Sequence, residues 1–107
     1  RNPIFVQMSD GSVRNGYTLR VLNKKMERRE FELRLAGLPG ASVEVIGGSS
    51  RPDGTQIIEV GPDQTREVRV LVTEHGRPKA STQSVDFSVV DRDGGETASA
   101  SDHFRGP

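Results

Sequence analysis

The feature that most constrains this chain is an alternation of apolar and polar residues with period two, interrupted by turn residues about every ten positions. Tyr17, Leu19 and Val21 fall on one face, then Phe31, Leu33 and Leu35, then Val43 and Val45. Ile58 and Val60 follow, then Val68, Val70 and Val72, then Val85, Phe87 and Val89, and a weaker Ala98 and Ala100. Ile4, Phe5 and Val6 supply a short leading strand running to Met8. β-Branched and aromatic residues dominate these segments, which suits a half-buried pleated surface. Gly, Pro, Asn and Asp collect between them, at Leu38-Pro39-Gly40, Gly47-Gly48, Pro52-Asp53-Gly54, Gly61-Pro62-Asp63, His75-Gly76-Arg77-Pro78 and Asp93-Gly94-Gly95. The pattern predicts an all-β fold, an immunoglobulin-like antiparallel β-sandwich of seven to eight strands.

One window competes. Between Leu22 and Leu35 the segment Asn23 to Glu30 is charged and tolerates a helix, yet Phe31, Leu33 and Leu35 alternate, so Lys24 to Arg29 reads as a connection into a strand. Its mixed charges read as a solvated face. A second ambiguity lies in SDGSVRNGYTLRVLNK, Ser9 to Lys24, where Asp10-Gly11 and Asn15-Gly16 both carry hairpin-turn chemistry. Only three residues separate them, too few for a useful strand. The expectation is a turn at Asp10-Gly11 and, at Gly16, a bulge or a point of close packing.

At 107 residues the chain is expected to be a single domain, residues 1–107. Burial of about fifteen large side chains, each contributing on the order of 1.5–3 kcal/mol, would have to offset the chain entropy. The mean hydropathy of −0.58 and the 32% of apolar residues fit a small domain with much surface. Fifteen basic and fifteen acidic residues leave no net charge and no basic stripe, which argues against nucleic acid as a partner. The absence of cysteine excludes disulfides, thiol catalysis, and cysteine-held zinc or iron–sulfur centres within these residues. No apolar run approaches the roughly 18 residues of a membrane span. The chain opens at Arg1 without an initiator methionine, and an excised domain is the expectation.

Chemistry-bearing residues are sparse. The acidic run Asp91-Arg92-Asp93-Gly94-Gly95-Glu96 resembles a calcium loop only in composition, and is expected to be a hairpin loop with solvated acids. His75, His103, Met8 and Met26 are the soft or borderline metal ligands, but no two share one element at ligand spacing. No nucleophile elbow precedes a helix. No catalytic, cofactor-binding or metal residue is therefore assigned, and no enzyme site is expected here. An aromatic platform for glycans is also disfavoured by the absence of Trp, with one Tyr and four Phe.

As a set, Arg1-Asn2-Pro3-Ile4-Phe5-Val6, SDGSVRNGYTLRVLNK, Phe31-Glu32-Leu33, Gly37-Leu38-Pro39-Gly40, DQTREVRVLV from Asp63 and SDHFRGP from Ser101 closely resemble the C-terminal domain of the FixG family. Members, also called CcoG or RdxA, are accessory proteins of bacterial cbb-type cytochrome c oxidase. The resemblance implies a parent protein in the inner membrane with cytoplasmic iron–sulfur clusters, and a C-terminal immunoglobulin-like domain on the periplasmic face. It also implies a role in oxidase assembly, with copper reduction attributed to cysteines upstream of this domain. The expectation for these residues is a soluble docking or scaffolding module without cofactor, whose partners are oxidase subunits or copper-handling proteins. The alternative is transient copper binding by Met8, Met26, His75 or His103.

Overall fold

A computed structural model describes residues 4–76 and 82–106. Nine strands follow one another: β1 (Ile4–Gln7), β2 (Val13–Asn23), β3 (Arg29–Ala36), β4 (Ser42–Ile46), β5 (Ser49–Ser50), β6 (Gln56–Val60), β7 (Gln64–Glu74), β8 (Thr82–Asp91) and β9 (Thr97–Arg105). All pairings are antiparallel, in a four-stranded sheet of order β1-β2-β7-β4 and a five-stranded sheet of order β5-β6-β3-β8-β9. The immunoglobulin-like sandwich expected from the alternation is thus the fold. The ninth strand is β5, whose two serines carry no apolar signal and pair with Ile57 and Gln56 only because β6 is already placed.

Burial follows the alternation. Val13, Tyr17 and Val21 of β2 and Val68, Val70 and Val72 of β7 face Phe31 and Leu33 of β3 and Val85 and Phe87 of β8. Fifteen buried hydrophobic residues among those described form one cluster. Tyr17 and Phe87 meet edge to face across the sheets, with ring centroids 4.8 Å apart, the favoured aromatic geometry. Four of the five aromatic residues are buried, and Phe5 is exposed.

Polar side chains stitch the two sheets along both flanks. On one, Gln56 of β6 accepts a hydrogen bond from Val45 N–H of β4 (2.9 Å) and donates to Ser50 Oγ of β5 (2.6 Å). On the other, Asn15 of β2 accepts from Arg105 N–H and donates to Arg105 C=O of β9, and the Tyr17 hydroxyl donates to His103 C=O. Every buried polar side-chain atom of the described residues has a partner.

The two glycine dipeptides separate as expected, with one revision. Asp10-Gly11 forms the turn: Gly11 has φ 91°, its N–H bonds to Met8 C=O, and Asp10 Oδ1 accepts from Ser12 N–H and Oγ. The leading strand stops at Gln7, because Met8 belongs to that turn. Gly16 lies in continuous register with Ile4 on one side and Leu71 on the other, so it is no bulge. It is a point of close packing, since a Cβ there would stand 2.5 Å from the Arg69 guanidinium lying across it. Of the expected turns, Arg77-Pro78 lies outside the described residues, as do Arg1-Asn2-Pro3 and Pro107.

Candidate functional site

The densest polar constellation joins three loops at one end of the sandwich. Asn23 closes β2, Arg29 opens β3, and Asp91 closes β8. Arg29 stands in phase with Phe31 and Leu33, and Asp91 with Val85 and Phe87, so both are carried inward by the same alternation that builds the core. Arg29 is 7% and Asp91 3% exposed. Two expectations are corrected here. Arg29 is the first residue of a strand and not part of a solvated connection, and Asp91 is a buried acid and not a solvated loop residue.

The geometry leaves little unsatisfied. Arg29 donates from Nε to Asn23 Oδ1 (2.6 Å) and from Nη1 to Asp91 Oδ2 and Glu96 Oε1 (2.8 Å each), while its guanidinium lies 4.8 Å from the Phe31 ring centroid. Asn23 Nδ2 is ringed by the carbonyls of Glu27, Val60 and Gly61, at 2.7, 3.2 and 2.9 Å, and Oδ1 also accepts from Lys25 N–H. Asp91 Oδ1 accepts from Asp93 and Gly94 N–H, folding the loop back on itself. These backbone bonds and the Arg29 guanidinium hold the Asp91 carboxyl down at about 2, and Glu96 and Asp91 push the Arg29 guanidinium further up. Both groups stay ionised at neutral pH and are bound to each other. The constellation is suited to fixing loop positions and unsuited to proton transfer.

A cleft of about 440 Å3 opens beside this cluster, between β2 and β9. Arg20, Val21, Leu22 and Lys24 form one wall, and Val89, Thr97 and Ala98 the other, with Arg29 and Phe31 at the base. A shallower extension continues past Leu19, Phe87 and Ala100. Ala98 and Ala100 sit opposite the inward-facing Val89 and Phe87, yet both are exposed. The expectation that they share a buried face is therefore not met: both open onto the cleft that separates β9 from β2.

The candidate metal ligands do not converge. Met8 belongs to the β1–β2 turn and His75 follows β7 at the same end, where its Nε2 lies 2.7 Å from Ser42 Oγ. Met26, 79% exposed, lies past the other end of β2, roughly 30 Å away at a strand rise of about 3.3 Å per residue. His103 alternates with buried Phe104, so its exposed side chain lies on the outer face of β9. Among the described residues no three His, Cys, Asp or Glu side chains gather as metal ligands do. Among the described residues no helix is long and apolar enough to cross a membrane.

Comparison with known proteins gives a consistent result. A family model described as "IG-like fold at C-terminal of FixG, putative oxidoreductase" matches residues 1–107. The nitrogen fixation protein FixG of Rhizobium meliloti is 45% identical over 73 residues, covering 68% of this chain and 14% of that protein. Protein RdxA of Cereibacter sphaeroides is 37% identical over 73 residues, with the same coverage of each. The chain thus spans about one seventh of the length of these relatives. Among solved structures, a FixG-related protein from Vibrio parahaemolyticus superposes with a TM-score of 0.72 at 24% identity, over 89% of this chain and 80% of that one, which shows the fold.

Proposed function

The chain belongs to the family of immunoglobulin-like domains found at the C-terminus of FixG, and from that premise we propose that it is a non-catalytic interaction module of a membrane-bound accessory protein. In this reading the domain stands on the periplasmic side and docks partners of cbb-type oxidase assembly, either oxidase subunits or copper-handling proteins. Electron transfer to copper would then belong to iron–sulfur-bearing parts outside these 107 residues, which contain no cysteine.

The observation that carries the proposal is the open flank between β2 and β9. There, among the described residues, the apolar inner-face residues Ala98 and Ala100 are exposed beside a cleft, while the buried charges nearby are consumed in holding loops. Such a surface suits recruitment of a protein and offers no free acid, base or nucleophile arranged for catalysis.

The test is deletion of residues 1–107 from the parent protein in its native host. Oxidase subunits should no longer co-purify with the truncated protein, and assembled oxidase should fall. Full assembly with unchanged co-purification would overturn the proposal.

A further inference from the structure

The chain holds three asparagines, Asn2, Asn15 and Asn23, and they differ in the residue that follows. An asparagine loses its amide when the backbone nitrogen of the next residue attacks its Cγ, so that residue must carry an N–H and leave room for the approach. Asn2 precedes Pro3, whose nitrogen has no hydrogen to give up. Asn23 precedes Lys24, whose side chain crowds the approach, and its Nδ2 is held by three carbonyls. Asn15 precedes Gly16, which has no Cβ, so this dipeptide is the reactive one wherever the chain is open.

The fold withholds each condition of the attack. Asn15 is fully buried, and its amide is fixed on β9 by the two bonds to Arg105 N–H and C=O. Both residues lie in continuous register on either side, Asn15 with Phe5 and Val72 and Gly16 with Ile4 and Leu71, which keeps the backbone extended. A five-membered ring between the Asn15 side chain and the Gly16 nitrogen closes only when that extended backbone bends. Gly16 is itself buried, with the Arg69 guanidinium lying across it. Reaction therefore requires β9 to let go of Asn15 and β2 to leave its pairings with β1 and β7.

We propose that Asn15-Gly16 is a modification site closed by folding, at which an opening of the β2–β9 flank becomes permanent. In the opened chain the Gly16 nitrogen gives up its proton and bonds to Asn15 Cγ, and the Cγ–Nδ2 bond breaks with release of ammonia. Water then opens the resulting succinimide at either of its carbonyls. One product carries an aspartate in place of Asn15, and the other an isoaspartate, in which the backbone runs through the former side chain. Neither restores the fold. Aspartate has no amide to donate to Arg105 C=O and sets a carboxylate against that oxygen in a buried place. Isoaspartate lengthens the backbone inside β2, and the pairs from Val13–Glu74 to Asn23–Gln64 cannot all keep their register. A copy that has opened for long enough is thereby withdrawn, and this dipeptide sets the working life of the domain.

The test follows the tryptic peptide Asn15–Arg20 by mass spectrometry, in the parent protein held folded in its membrane and in the same protein dissolved in urea, at one mildly alkaline pH. Conversion of the amide to the acid should be at least about a hundredfold slower in the folded protein. Gly16→Ala should slow the conversion in urea about tenfold or more, because the added methyl crowds the attacking nitrogen. When the 107-residue chain is held in urea and then diluted, the fraction that refolds should fall in step with conversion of Asn15, and in Gly16→Ala it should stay nearly constant. Equal rates in the folded and the denatured protein would overturn the proposal. Full refolding of converted chains, or an equal loss of refolding in Gly16→Ala, would overturn it as well.

Discussion

Asn15 acts toward Arg105 as a strand would: its amide oxygen accepts from the Arg105 N–H and its amide nitrogen donates to the Arg105 C=O, both at 2.9 Å. One side chain from the first long strand thereby closes the backbone of the last strand, 90 residues away in sequence. Asn15→Ala removes a fully buried side chain and leaves both backbone groups of Arg105 without their partner. We expect a loss of about 1–3 kcal/mol, read as a lower urea midpoint at unchanged slope.

Tyr17 is the only tyrosine, and no tryptophan obscures it. Burial, with a smaller contribution from Asp102, pushes its phenol far above the ordinary value. Because the folded pKa is raised, its contribution to stability is complete below about pH 10 and declines as pH rises beyond it. Tyrosinate absorbance in the native protein should therefore appear only together with alkaline unfolding, and not before it. Tyr17→Phe removes the bond to His103 C=O and should cost about 1 kcal/mol in urea.

At the other end, Asp91 sets the acid limit. Its folded pKa of about 2 lies below the ordinary value, so its contribution is full above about pH 4 and is lost as pH falls toward 2. Melting temperature should drop through that window. In Asp91→Asn, which leaves Arg29 buried without this carboxylate, it should start lower at neutral pH and vary less over the same interval.

Two glycines in extended and turning backbone should answer oppositely to one added methyl. At Gly37, φ is 107° and a Cβ would run into the backbone carbonyl of Ser84, so Gly37→Ala should cost more than about 1 kcal/mol. At Gly16 the obstacle is the far end of the Arg69 side chain, which can swing into solvent, and Gly16→Ala should change stability by less than about 0.5 kcal/mol. Parallel urea titrations of the two variants separate backbone strain from a yielding neighbour.

How much of this was legible is best seen in the phase of particular residues. The alternation located every strand with an apolar face, and the same count places Asn15 and Asn23 with Tyr17, Gln56 with Ile58, Arg29 with Phe31, and Asp91 with Phe87. The polar stitching was therefore present in the sequence as polar residues at apolar positions. Reading Arg29 and Asp91 by local charge, and not by phase, hid it. What no phase could supply is how closely the two sheets approach along each flank. Ala98 and Ala100 keep the inward rhythm of a core strand, opposite Val89 and Phe87, and are nonetheless exposed. β5 escaped for a related reason, since two serines have no rhythm at all.

Strand β1 runs antiparallel to β2, and β9 antiparallel to β8, so that both point toward the same end of the sandwich. The chain therefore enters β1 from one direction and leaves β9 in the other. Tension applied between the two ends of the domain would slide β1 along β2 and β9 along β8, loading the four pairs from Ile4–Gly16 to Gln7–Val13 together instead of peeling them one by one. A first strand held in this way is a mechanical clasp: weak if its edge is lifted, and strong when the domain is pulled along its length.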